Sequence, residues 1–254
     1  MFKEFHHQAR GRGHLREGSH CQDRTRFLSW GGVQALCLAD GAGSATHSQF
    51  GAQTLVEEGC KLLVGRFAEF TSRDDGAQVK LDIVQHLLNK LREIARRREC
   101  EIKDLSSTFL GVAVSEDRFI AIHVGDGVIG YVKDGELRVI SAPDNDEFAN
   151  QTTFVTSESA TSSMRLLRGS LEGVSGFVLM SDGTAESLYD FRSKQLAPAC
   201  SKMIALVSAA PTRQVKNPEH KKQLRRLVDI KIRKATKDDC SVGILGRQLA
   251  SSQE

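Results

Sequence analysis

Long hydrophobic runs are missing from this 254-residue sequence. Nothing approaches the roughly 18 consecutive apolar residues of a bilayer helix, and the opening stretch MFKEFHHQARGRGHLREG lacks the apolar centre of a secretory leader. A soluble cytoplasmic protein is the expectation. Bias toward one charge is also missing: 35 Lys and Arg face 32 Asp and Glu, a net of +3. Bulk electrostatics therefore call for neither nucleic acid nor an anionic membrane as partner. Aromatics are scarce, at 6% with a single Trp, so stacking platforms for single strands are not expected either. The six cysteines (Cys21, Cys37, Cys60, Cys100, Cys200, Cys240) form no Cys-x-x-Cys pair, which argues against a zinc site or a disulfide framework and for reduced thiols. Only 4 Pro are present, with no internal repeat and no low-complexity tract, so no linker divides the chain and residues 1–254 read as one domain.

What is present suffices for a large core. Apolar residues make up 40% of the chain, and a chain of this length buries roughly 70–75% of its unfolded surface. Short apolar runs at Arg26 to Trp30 and Val33 to Ala39 flank Gly31-Gly32, the pattern of a tight hairpin. Helical spacing follows over Ser44 to Phe70 and Val79 to Ile102, joined by a polar turn at Ser72 to Gly76. Strand periodicity then takes over at Ser107 to Val114, Arg118 to Val124, Val128 to Val132 and Glu136 to Ile140. Further strands are expected at Phe154 to Thr156, Ser163 to Arg168, Gly176 to Met180 and Cys240 to Leu245. Helices are expected near Thr184 to Asp190, Leu196 to Ser208 and Glu219 to Arg233. Paired helices and runs of strands predict an α+β fold with packed sheets and outer helices.

The acids carry the chemistry. Asp40, Asp126 and Asp182 each precede a Gly and sit at or just past the end of an apolar strand; Asp238-Asp239 stands immediately before the closing strand, and Asp23 opens the first hairpin. Carboxylates gathered at strand ends repel one another unless a cation neutralises them. Oxygen-only donors favour Mg²⁺ or Mn²⁺ over zinc, and a pair of such ions is a recurrent device for hydrolysing phosphate esters. Asp-Gly is also a common turn dipeptide, and Lys133-Asp134-Gly135-Glu136 is assigned to a plain hairpin turn.

The ordered set Cys21-Gln22-Asp23, Asp40-Gly41-Ala42-Gly43, Ser107-Thr108-Phe109-Leu110-Gly111, Gly125-Asp126-Gly127, Ser181-Asp182-Gly183 and Asp238-Asp239-Cys240-Ser241 resembles the motif series of the PP2C-type metal-dependent Ser/Thr protein phosphatases, closest to their short bacterial branch. It spans about residues 12 to 246. The segment Glu147 to Phe154 is similar to that branch as well. The resemblance implies a four-layer α-β-β-α sandwich with two central, mostly antiparallel sheets and a metal cleft at one edge. It implies two Mn²⁺ or Mg²⁺ ions, with a third in bacterial members. Asp40 would be shared by both ions, the Gly41 carbonyl would bind the second, and Asp182 and Asp238 would complete the first. Asp23 would hold water of the ion shell, and Asp126 with Asp182 would take the third ion. Asp23 and Asp40 are thus the implied catalytic pair. Phosphorylated proteins, substrates of a cognate Ser/Thr kinase, are the implied partners.

Departures from the pattern matter. Gln22 stands where the family has Glu, and Gly18 where a phosphate-binding Arg is usual; Arg16, His14 or His20 would have to take its place. Ala42 replaces a His that acts as general acid in some eukaryotic members, and His47 reads as a capping or surface residue. The polar stretch Pro143 to Thr153 reads as a flap bordering the cleft, with Asn150 as a substrate contact. Ser107 and Thr108 read as strand residues lining the cleft, His123 as a hydrogen-bonded core histidine, and Arg96 to Arg98 and His220 to Arg226 as solvated helix faces. The changes at Gln22 and Gly18 motivate an alternative function, a catalytically weak regulatory module that binds a phosphoprotein or a kinase. Retention of Asp40, Asp182 and Asp238 favours the enzyme.

Overall fold

The computed structural model describes residues 1–143, 152–211 and 218–249. It begins with strand β1 (Lys3–Ala9), a short helix α1 (Arg12–Glu17), and strands β2 (Arg24–Trp30) and β3 (Val33–Ala39). Helices α2 (Ser48–Gly65), α3 (Phe67–Ser72) and α4 (Gly76–Arg98) come next, then β4 (Phe109–Ser115), β5 (Arg118–Val124), β6 (Val128–Lys133) and β7 (Glu136–Ser141). After them come α5 (Ala160–Ser163), β8 (Arg165–Ser170), β9 (Val174–Met180), α6 (Asp182–Leu188) and a small hairpin, β10 (Tyr189–Asp190) with β11 (Gln195–Leu196). Helices α7 (Pro198–Ser208), α8 (Glu219–Arg226) and α9 (Arg233–Ala235) lead into β12 (Cys240–Gly246), a π-helical stretch at Leu227–Ile232 joining α8 to α9.

Two five-stranded sheets, β1-β12-β9-β6-β7 and β2-β3-β4-β5-β8, form the centre, and their strand pairings are antiparallel. Three apolar clusters show how they stack. Leu36, Leu38, Leu110, Val112, Phe177, Leu179 and Leu245 form the layer between the sheets. The alternate residues of β3 to β5, among them Cys37, Phe109, Ile120 and Ile122, pack instead on Leu55, Leu63, Leu87 and Leu91 of α2 and α4. On the other side Phe5, Val178, Val242 and Ile244 meet Met203, Ile204, Val207 and Val228. Three interfaces make four layers, so the expected α-β-β-α sandwich is what the chain adopts. The run LSWGGVQALCLA has few polar positions because β3 is buried on both faces, and burying each large apolar side chain contributes about 1.5–3 kcal/mol.

Several expectations are corrected. Lys3–Ala9 is a strand at the edge of the first sheet, although KEFHHQA shows little apolar alternation. An edge strand needs only Phe5 and Ala9 inward and benefits from polar residues elsewhere. The helix expected over Ser44 to Phe70 is two helices, interrupted at Arg66, where the backbone leaves the helical region (φ −117°, ψ 20°). Phe154 to Thr156 is not a strand; it forms a turn in which the Phe154 amide donates to Ser157 Oγ. The helix expected over Glu219 to Arg233 changes to π-helical geometry at Leu227–Ile232. Of the flap, residues 144–151 lie outside the described residues.

Candidate metal centre

Strand direction brings the acids to one end of the sandwich. The register pairs Arg24 with Ala39, Phe109 with Val124, Val242 with Met180 and Val128 with Met180. The start of β2 and the ends of β3, β5 and β9 therefore lie together with the start of β12, and Asp23, Asp40, Asp126, Asp182 and Asp238 sit at those points. Asp40 is fixed through its backbone: its amide donates to Thr108 Oγ1 (3.0 Å) and its carbonyl accepts from the Thr108 amide (2.8 Å). Gly41 next to it is buried and bridged to Ser107. Ser107 Oγ donates to the carbonyls of Ser48 (3.2 Å) and Leu105 (3.1 Å), so this hydroxyl serves the fold. Asp182 accepts from the Gly183 amide at 2.6 Å, Asp126 from Thr152 Oγ1 at 2.5 Å, and Asp238 from the Asp239 amide at 2.8 Å. Asp238 is exposed on the rim, whereas Asp40, Asp126 and Asp182 are half-buried.

Asp23 is the extreme member. It is 0% exposed, and among the described residues no well-formed hydrogen bond reaches either carboxylate oxygen; its polar neighbours are the Asp40 carboxyl and Ser241 Oγ. Burial is the main reason its pKa is pushed up to about 7, with Asp239 and Asp182 adding repulsion and the facing Asp40 carboxyl pulling the other way. Burial, then Asp23 and Asp182, hold Asp40 well above the carboxylate range. Asp182 is raised to about 6 by burial first, with Asp126 and Asp238 contributing. These influences tie Asp23, Asp40 and Asp182 to one another, and Asp126 and Asp238 to Asp182. Among the described residues none of the five is ion-paired to a Lys or Arg.

The donor set fits a hard divalent cation. Oxygen donors predominate, charge of one sign accumulates, and two fully buried carboxylate oxygens have no well-formed hydrogen bond among the described residues, which is costly unless a cation supplies the missing interaction. The carboxylates approach as pairs, Asp40 with Asp23 and Asp40 with Asp182. Among the described residues no three His, Cys, Asp or Glu side chains are already gathered as a metal cage.

Asp239 has a larger part than its sequence position suggested. It is 1% exposed; Oδ1 accepts from the Gly11 amide (2.6 Å) and Oδ2 from the Gln22 amide (2.5 Å). Its Oδ1 also lies 2.9 Å from His14 Nδ1, a contact close in distance though the ring N–H is not aimed at the oxygen. Asp239 thus staples both ends of the excursion that carries α1. The close approach requires Gly11, where a Cβ would fall 2.3 Å from the Asp238 carbonyl carbon. The available signal was a second Asp directly before a fully buried strand.

The other expected contacts are distributed unevenly. His14 is half-buried with Nδ1 2.9 Å from Asp239 Oδ1, whereas Arg16 and His20 are exposed. Gly18 takes the left-handed conformation that ends α1 (φ 72°), which accounts for glycine where the family pattern has Arg. Asn150 lies outside the described residues. His47 occupies the N-cap of α2 without a side-chain capping bond, its ring 6.1 Å from that of Phe50. His123 is 1% exposed, with Nδ1 2.7 Å from Ser141 Oγ and Nε2 2.9 Å from the Gly125 carbonyl, a core histidine that braces the turn before Asp126.

The chain belongs to the protein phosphatase 2C family, which matches residues 10–229. It is 28% identical over 163 residues to serine/threonine-protein phosphatase 3 of Escherichia coli K12, a match covering 60% of this chain and 62% of that protein. The chain thus spans about three fifths of the length of this curated relative. Among solved structures, serine/threonine phosphatase Stp1 from Staphylococcus aureus superposes with a TM-score of 0.66 at 16% identity, over 98% of this chain and 96% of the other. The catalytic domain of serine/threonine protein phosphatase PstP, crystallised with two manganese ions, gives 0.58 at 18% identity over 97% and 99%. These likenesses establish the fold. Among the described residues no helix is long and apolar enough to cross a membrane.

Proposed function

We propose that this protein is a metal-dependent protein phosphatase that hydrolyses phosphoserine and phosphothreonine in proteins. The observation that carries the reading is the gathering of Asp23, Asp40, Asp126, Asp182 and Asp238 at one end of the sandwich, with Asp23 fully buried against the Asp40 carboxyl. Two Mn²⁺ or Mg²⁺ ions fit this donor set: Asp40, Asp182, Asp238 and the Gly41 carbonyl would hold them, and Asp126 with Asp182 would take a third. Such ions, when bound, neutralise phosphoryl oxygens and lower the pKa of water to near neutrality. The chain's own part is orientation. Thr108 fixes the Asp40 backbone from both sides, the Gly183 amide turns Asp182, and Asp239 sets the loop entering Asp23. With Ala42 next to Asp40-Gly41, that position supplies no proton to the leaving group, which takes it from water or from elsewhere.

Phosphoproteins made by a cognate Ser/Thr kinase are the proposed substrates, and the cytoplasm, where six free thiols persist, is the proposed location. The regulatory alternative rests on Gln22 and Gly18; the presence of every acid of the implied metal set favours catalysis. Hydrolysis of a small aryl phosphate and of a phosphothreonine peptide, each with Mn²⁺ and after chelation, tests the proposal. Turnover that needs Mn²⁺ supports it. Turnover indifferent to chelation, or none on either substrate, overturns it.

A further inference from the structure

Helix α1 is anomalous: its six residues include no buried one, so hydrophobic burial does not explain its presence. Polar bonds to the segment carrying Asp238 hold it instead. The Gly13 amide donates to the Lys237 carbonyl (2.8 Å), Arg12 Nε to the Thr236 carbonyl (3.0 Å), and the Gly11 and Gln22 amides to Asp239. The partner segment is alike in character, since α9 buries nothing and Lys234 and Lys237 are exposed. Two surface pieces that contribute nothing to the core are thus fastened to each other and to the edge of the acid cluster. Between them they present Arg12, Arg16, Lys234 and Lys237 to solvent, and among the described residues none of these four forms an ion pair. Asp238 beside Lys237, Glu17 on α1 and Glu186 on α6 are exposed acids nearby.

We infer that this basic rim is a docking surface for an acidic stretch of a phosphoprotein, selecting phosphorylated residues flanked by Asp or Glu. The inference rests on the phosphatase reading above and names its substrate class. Charge complementarity carries it. A phosphoryl group delivered to the acid cluster places its flanking residues over the rim, where carboxylates meet unpaired ammonium and guanidinium groups at the surface. Exposed pairs are individually weak and salt-sensitive, so the effect is one of selection among substrates and fades as the Debye length falls below about 8–10 Å. A polynucleotide fits less well, because neither α1 nor α9 carries a Phe, Tyr or Trp on which a base could stack, and the one ring present, His14, stands with Nδ1 2.9 Å from the buried Asp239 Oδ1.

The test compares kcat/KM of the full chain with Mn²⁺ on two phosphothreonine peptides of equal length, one flanked by Asp and Glu and one by Gln and Ala. The wild type should prefer the acidic peptide by about tenfold at low salt, and Lys234→Glu/Lys237→Glu should lose that preference. Turnover of a small aryl phosphate should stay within about twofold in the double variant, and Lys234→Arg/Lys237→Arg should keep the preference. A wild type indifferent to the flanks, a double variant that keeps the preference, or equal loss on the aryl phosphate would overturn the inference. If the wild type hydrolyses nothing, the phosphatase reading has failed by itself. Fluorescence anisotropy of the acidic phosphopeptide then decides the rim: binding abolished by the charge reversal supports it, and binding unchanged by the reversal, or matched by an oligonucleotide of equal charge, overturns it.

Discussion

The two ends of the same double sheet use the same dipeptide for opposite purposes. At one end Asp134-Gly135 turns β6 directly into its neighbour β7; Asp134 is exposed, adopts φ 53°, and donates its amide to the Gly173 carbonyl (2.8 Å). At the other end Asp40-Gly41 and Asp182-Gly183 end strands whose chains leave the sheet toward α2 and α6, and their carboxylates face one another. The residue pair is therefore not the signal. What distinguishes a turn from a site is whether the chain folds back on the adjacent strand or departs, because departure leaves the strand end open and several side chains can enter the same space.

The comparison can be broken by substitution. Asp40→Asn should lower turnover by at least a thousandfold while leaving the metal-free melting temperature unchanged or raised, since it removes one of the mutually repelling acids. Paired turnover and melting with and without Mn²⁺ check this, and activity within about tenfold of wild type would take Asp40 out of the metal set. Asp239→Ala should lower stability by about 2–4 kcal/mol, because the Gly11 and Gln22 amides lose a charged acceptor, with a melting shift of about 5–10 °C. Asp239→Asn should recover part of it.

Titration sharpens the same contrast. Asp23 at about 7 and Asp182 at about 6 lie above the unfolded carboxylate value, so between about pH 4 and pH 7 the folded chain holds protons that the unfolded chain has released. Metal-free stability should accordingly be greatest in the acidic part of that window and fall as pH rises through it. Added Mn²⁺ should raise the melting temperature more at pH 7.5 than at pH 5. Melting curves over pH 4.5–8 with chelator and with Mn²⁺ check both, and a metal-free protein that gains stability toward neutrality would contradict the repulsion argued for this end. The smallest effect belongs to the opposite end: Asp134→Ala should stay within about twofold in turnover and about 0.5 kcal/mol in stability.

Legibility in the sequence followed the same division. Strands β3 and β5 and the Gly31-Gly32 hairpin were readable within a residue or two, because apolar runs bounded by turn residues are local signals. His123 was readable as a core histidine from its place inside an apolar strand. Strand β1 was not, since an edge strand paired on one side only needs few apolar positions. Helix α1 was not readable either, because it is held by amides of Gly11 and Gly13 bonding to residues more than 220 positions away. The left-handed backbone at Gly18, where the family pattern has Arg, was not readable either.

By itself, then, the sequence determined the alternation of elements and the positions of Asp40, Asp126 and Asp182 at strand ends, all consequences of periodicity and turn chemistry within a few residues. Tertiary structure alone decided which acids meet, that Asp23 lies fully buried beside Asp40, and that His14 Nδ1 stands 2.9 Å from Asp239. Burial and electrostatic repulsion depend on what the fold brings near in space. Antiparallel register over two sheets, and no local pattern, brings residues 11–23 and 236–241 to one place.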